Sequence, residues 1–157
     1  MTTWTDPRTW LAGEKLTSAL LNQYLRDQQR VLSEAWPDWT PTVSGLTTPG
    51  NLTITGDRII VGKLCFFQIV LTIGSTTTPG AGTMIFSLPA AIPSTNQPVG
   101  QASIFDGSTT PRQFGAYANT TTTFACANDS GSLLSGTVPL ALGTGDTVKI
   151  NGVVQLA

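Results

Sequence analysis

The chain has 157 residues and a formal net charge of −1, and charged residues make up only 11% of it, against about 25% in typical soluble domains. A balance this near zero excludes recognition of nucleic acid by clustered Lys and Arg, and the absence of His removes the commonest general base from any catalytic scheme. The length suits one ordinary domain with a small appendage, and so little charge implies a surface of neutral hydroxyls or one covered by other subunits.

The first 36 residues differ from the rest. They carry Asp6, Arg8, Glu14, Lys15, Arg26, Asp27, Arg30 and Glu34, close to half of all charged side chains. Residues 1–16 read as an extended arm with Trp4, Pro7 and Trp10 as anchors. No basic stretch followed by an apolar one opens the sequence, which argues against a secretory signal. No apolar run reaches the roughly 18 residues of a membrane span.

Thr17 suits a helix N-cap, with Leu16 and Leu21 at the two positions of a hydrophobic staple. The spacing predicts a helix from there to about Ala35, its seam formed by Leu21, Leu25, Gln28, Leu32 and Ala35 and widened by Tyr24 and Val31. A helix this short is not stable alone and must pack on something. Two partners are open: its own β region, or an oligomeric bundle or larger assembly. Pro37 blocks further helix, and Trp36 and Trp39 bracket the junction.

From residue 37 onward the chain reads as strands and turns rich in Thr, Gly, Ser and Pro. Strands are expected at 52–55 and 58–61 around a Gly56-Asp57 turn, and at 64–73 after a Gly62-Lys63 turn. Others are expected at 83–88, 99–105, 113–118, 121–126, 136–142 and 147–156, the last with a bulge at Asn151-Gly152. In the strand from Leu64 to Ile73 the odd positions, Cys65, Phe67, Ile69, Leu71 and Ile73, should face the core. The even positions include Leu64, Phe66 and Val70, too apolar for a water-facing surface, and strands apolar on both faces are usually covered on both. Leu64, Phe66 and Val70 are therefore the expected subunit interface. Frequent turns between short strands suggest an antiparallel β-sandwich of jelly-roll type.

Chemistry is sparse. Cys65 and Cys126 lack a His partner and read as buried thiols rather than a disulfide or a zinc site. Asp57, Asp106, Asp129 and Asp146 sit in turn-like contexts, and calcium at Asn128-Asp129 lacks a recognised ligand spacing. Asn51, Asn119 and Asn128 open Asn-x-Ser/Thr triplets of the kind expected by chance in so Thr-rich a chain. Among Phe105, Phe114, Tyr117 and Phe124, the rings of Phe114 and Tyr117 form a candidate ligand platform, with core packing as the competing role. No catalytic residue, metal ligand or cofactor is expected.

The run Trp10-Leu-Ala-Gly-Glu-Lys-Leu-Thr17, with Leu21-Asn22 and Leu25-Arg26-Asp27, resembles the leader of small virion structural proteins of tailed phages that infect actinobacteria. The likeness continues through Trp39-Thr-Pro-Thr42, the Arg58 to Lys63 stretch, Leu88-Pro89 and Leu142-Gly-Thr-Gly-Asp146. The resemblance implies a non-enzymatic virion component, trimeric, attached by its helical arm and displaying a β head. It also implies assembly in the host cytoplasm and, as partners, the major capsid protein or tail proteins of the same particle.

The expectation is thus a mainly β protein. An N-terminal extended arm and short α-helix (1–36) precede an antiparallel β-sandwich, jelly-roll-like head (37–157), in a homotrimer. Trp4, Trp10, Leu21, Leu25 and Leu32 are expected to anchor it to the virion as a capsid decoration or head fibre. The alternatives are a tail receptor-binding or minor tail protein that binds a host surface glycan, and a free carbohydrate-binding module.

Overall fold

The structure, a computed structural model, describes residues 8–106, 111–139 and 141–157. Its helix begins where the cap requires. Thr17 is extended, and its hydroxyl oxygen accepts from the Leu20 N–H at 3.3 Å, which starts α1 (Ser18–Leu21). The chain then makes a π-helical stretch, Asn22–Arg26, in which the Asp27 N–H donates to the Asn22 carbonyl five residues back. It resumes as α2 (Asp27–Ser33). The uninterrupted α-helix expected to Ala35 is corrected on both counts. A wide turn interrupts it, and it stops at Ser33 because Glu34 turns extended at ψ 153°. The residue before a proline is also barred from helical space, so Trp36 could not have continued it.

Among the described residues nine strands follow: β1 (Asp38–Trp39), β2 (Val43–Ser44), β3 (Thr53–Val61), β4 (Leu64–Thr72), β5 (Ile85–Ser87), β6 (Pro98–Phe105), β7 (Arg112–Ala118), β8 (Thr123–Ala127) and β9 (Thr147–Gln155). All pair antiparallel in one sheet of order β1-β3-β4-β9-β6-β7-β8-β5-β2. The fold is mainly β with one short helix near the N-terminus, and the sheet curls into a half-barrel.

Two features force the curl. First, β1 and β2 lie at opposite edges of the sheet yet are joined only by residues 40–42. From Trp39 to Val43 the chain can reach at most about 14 Å, whereas nine strands laid flat would hold their edges about 38 Å apart. Second, Phe67 on β4 and Phe124 on β8 sit four strand positions apart, yet their ring centroids are 5.9 Å apart. The two layers expected of a sandwich are therefore the two halves of one bent sheet, closed over a shared core.

That core follows the period-2 pattern. Cys65, Phe67, Ile69 and Leu71 of β4 are all buried, as is Ile73 just beyond it, as the odd positions of the run from Leu64 to Ile73 predict. Met84, Phe86, Ile92, Val99, Ile104, Phe114, Phe124, Leu134, Val148 and Ile150 join them. Phe86 stacks on Phe124 at 5.5 Å between centroids, within the range that favours aromatic pairs.

Three local expectations fail, two of them for a packing reason. Gly56-Asp57 is no turn: β3 runs straight through it, paired with Gln68 and Ile69. The glycine is needed because a Cβ there would lie 2.5 Å from the Trp39 indole nitrogen. Asn151-Gly152 is no bulge, since β9 keeps regular register with β4 across it. There a Cβ on Gly152 would strike the Phe67 ring at 2.4 Å. The strand at 136–142 is replaced, among its described residues, by an irregular segment. In it the Ser135 hydroxyl oxygen accepts from the N–H groups of Thr137 and Val138 at 3.3 and 3.1 Å. The Gly62-Lys63 hairpin does form, with Gly62 at φ 59°, the positive φ that a two-residue turn of this kind demands at its first position.

Candidate functional site

Two surfaces merit attention: the N-terminal arm with its helix, and the outward face of the curled sheet. In the arm, Arg8 pairs with Glu14, and the Arg8 guanidinium stands 5.2 Å from the centre of the Trp10 ring. Trp10 meets Tyr24 edge-on at 6.0 Å. The arm therefore folds back on its own helix and encloses a notch of about 370 Å³ lined by Trp10, Leu11, Glu14, Leu16, Leu21 and Leu25. The two staple residues, Leu16 and Leu21, share its wall.

The helix buries only Val31. Leu21, Leu25 and Leu32 remain 38, 54 and 64% exposed. The π-helical stretch shifts the phase of the seam, so the leucines expected along one line do not close together on the head. Trp10 is likewise partly exposed. Trp4 lies outside the described residues.

On the sheet, the residues expected at a subunit interface all belong to the outward face of β4. Leu64 and Phe66 are exposed there beside Val153 of β9. Val70 is only half exposed, flanked by Thr55 and Lys149. The ligand platform proposed from sequence does not exist. Phe114 is 3% exposed and belongs to the core, whereas Tyr117 is 49% exposed on the opposite face. The cause is alternation: residues 114 and 117 are three apart on β7, and side chains alternate faces at every step. Phe124 is also core. Phe105 is outward, under the Lys149 ammonium at 5.2 Å.

Sequence reasoning missed a groove of about 450 Å³ across the outward face of β4, β9, β6 and β7. Its lining includes Trp36, Phe66, Gln68, Gln101, Gln113 and Asn151. Register brings the amides together. Gln68 pairs with Asn151, which pairs with Gln101, which pairs with Gly115. Trp36 reaches them because the Arg58 N–H donates to the Pro37 carbonyl at 3.0 Å and pins the chain as it enters the sheet. Scattered single amides in polar positions of four strands gave no local signal in the sequence.

Several singled-out motifs prove to be structural. In Leu142-Gly-Thr-Gly-Asp146 the Asp146 carboxylate accepts from the Gly143 N–H at 2.7 Å, and Gly145 stands at φ 89°. The Gly145 N–H and the Asp146 carbonyl then both bond to Ile73, tying the end of β4 to the start of β9. The Arg58 guanidinium donates to the Pro89 carbonyl, which joins two of the resembling stretches. Trp39-Thr-Pro-Thr42 is the strap between the sheet edges, held by mutual bonds between Thr42 and Ser87 at 2.9 and 3.0 Å.

Asp57 accepts from the Gln68 amide at 2.7 Å. The Asn51 side-chain oxygen accepts from the N–H and hydroxyl of Thr76, both at 2.8 Å. That of Asn128 accepts from Ser130 and Ser132, so it shapes the turn that contains Asp129 rather than standing open to a cation. Among the described residues no three His, Cys, Asp or Glu side chains gather as metal ligands. Both cysteines are free and buried. Burial pushes the Cys126 thiol up to about 12. It also raises that of Cys65, against the opposing charge of nearby Arg58. Thiols held protonated in this way are poor nucleophiles.

No protein-family model, no curated protein and no solved structure matches the chain.

Proposed function

We propose that the protein is a non-enzymatic structural component of a phage virion, a homotrimer attached through residues 1–36 and displaying the curled β head at the particle surface. The observation that carries this reading is the state of the helix: three leucines at seam positions remain exposed, Leu21 in part and Leu25 and Leu32 over more than half their surface. Apolar side chains clustered like this on a monomer mark a contact surface. Leu64, exposed at the hairpin end of β4 and outside the groove, adds apolar surface for subunit contact. The resemblance of the leader and of the strap and turn motifs to phage virion proteins supplies the kind of assembly. The short chain favours a capsid decoration or head fibre over a tail component, and copy number in purified particles separates the two.

The test is removal of residues 1–36. The remaining chain should fold, because strands β1 to β9 and the shared core lie outside the deletion, but it should no longer enter particles. Normal incorporation of the truncated protein would refute the anchor.

A further inference from the structure

We propose that the groove across β4, β9, β6 and β7 is a binding site for a neutral glycan. The inference rests on the groove's own chemistry and does not depend on the virion reading. None of its lining side chains is charged, so nothing there recognises phosphate, sulfate or carboxylate. What it offers is a set of amides with capacity to spare. Gln68 donates its Nε2 to Asp57 at 2.7 Å, which leaves its carbonyl oxygen to accept. Gln113 accepts at Oε1 from the Ser103 hydroxyl at 2.9 Å, which leaves its N–H groups to donate. Gln101 and Asn151 face each other across the β6–β9 pair, and among the described residues neither side-chain amide has a hydrogen-bond partner.

An amide both donates and accepts, and so does every sugar hydroxyl. Binding sites fix orientation with a few such groups set beside apolar walls. Here the walls are Trp36 and Phe66, both partly exposed. An indole face is the natural seat for the C–H face of a pyranose ring. Gly100 and Gly152 stand opposite each other and line the groove between these amides, and neither position tolerates a side chain. A Cβ on Gly100 would lie 2.2 Å from the Asn151 carbonyl oxygen, and one on Gly152 would lie 2.3 Å from that of Val99. Beyond Gln101, the exposed Tyr117 ring lies over Gly115.

The full-length protein should be titrated calorimetrically with hexasaccharides of α-glucan, β-glucan and mannan, with a heparin hexasaccharide as the charged control. At least one neutral hexasaccharide should bind and heparin should not. Gln101→Ala combined with Asn151→Ala should weaken that binding at least tenfold, and Trp36→Ala should do the same. Lys149→Ala, outside the groove, should leave it unchanged. Thermal melts confirm that each variant is folded, and Gln101→Leu with Asn151→Leu serves as a volume-preserving second pair. Binding of heparin alone, of none of the four, or undiminished binding by the folded groove variants would overturn the proposal. So would groove variants that change the native mass of the protein and not its sugar binding, which would make this face a subunit contact. Particle incorporation of the Gln101 and Asn151 variants should stay normal, so failure of the glycan site is read separately from failure of the anchor.

Discussion

Replacing Leu21, Leu25 and Leu32 together with Gln isolates what the helix is for. Gln is nearly as good a helix former as Leu, so the helix itself should persist. Full burial of a leucine side chain is worth about 1.5–3 kcal/mol. With 38, 54 and 64% of these residues still exposed, the three together hold about 2–5 kcal/mol of burial that the chain alone does not use. If a partner covers them, the triple variant should lose about two to three orders of magnitude in association. Sedimentation velocity would read this as a shift from oligomer to monomer, and particle assembly as loss of incorporation. Urea unfolding of the head should change by less than about 1 kcal/mol, because surface substitutions without buried partners do little. A variant that keeps its native mass and enters particles would refute the reasoning. A head destabilised by several kcal/mol would refute it differently, by showing that the leucines pack on their own sheet.

Phe124→Ala should cost about 3–5 kcal/mol, since its ring is fully buried and joins Phe67 to Phe86 across the bend. Urea denaturation checks this, and a loss under 1 kcal/mol would mean the two halves of the sheet do not share that contact. The buried Cys126 thiol makes stability depend on alkaline pH. Its value in the folded protein is raised to about 12, above the roughly 8.5 of an exposed thiol. The native state thus keeps a proton that the unfolded chain releases. Its stabilising contribution is full below about pH 8.5 and is lost as pH climbs toward 12. Between pH 7 and 10 it should fall by about 2 kcal/mol. Comparing urea midpoints of wild type and Cys126→Ala at both pH values isolates the thiol's contribution, and identical pH slopes would contradict it.

Where a signal was local, the sequence carried it. The Thr17 cap needs only one hydroxyl and a nearby N–H, and the Gly62-Lys63 hairpin needs one positive φ. The inward face of β4 is written as strict alternation of four apolar residues, Cys65, Phe67, Ile69 and Leu71. Signals that depend on a distant neighbour were misread. Gly56 and Gly152 look like punctuation along the chain, but each is small because an aromatic ring from another strand occupies its space. Phe114 and Tyr117 stand three apart on β7, so alternation alone puts them on opposite faces, and only the strand's packing decides that Phe114 is the inward one.

The candidate site shows the same division. The uncovered leucines could be named from helical spacing, because amphipathicity is a property of one segment. The amide groove could not, because Gln68, Gln101, Gln113 and Asn151 come from four strands whose neighbourhood depends on pairing order. By itself, the amino-acid order determined that this would be a sparsely charged β protein led by a capped helix, since composition, caps and period-2 patterns act within a few residues. Tertiary structure alone decided that the nine strands form one bent sheet and that a three-residue strap holds its edges near each other. It also decided which polar side chains meet on the outer face, because all of these are set by contacts between residues far apart in the chain.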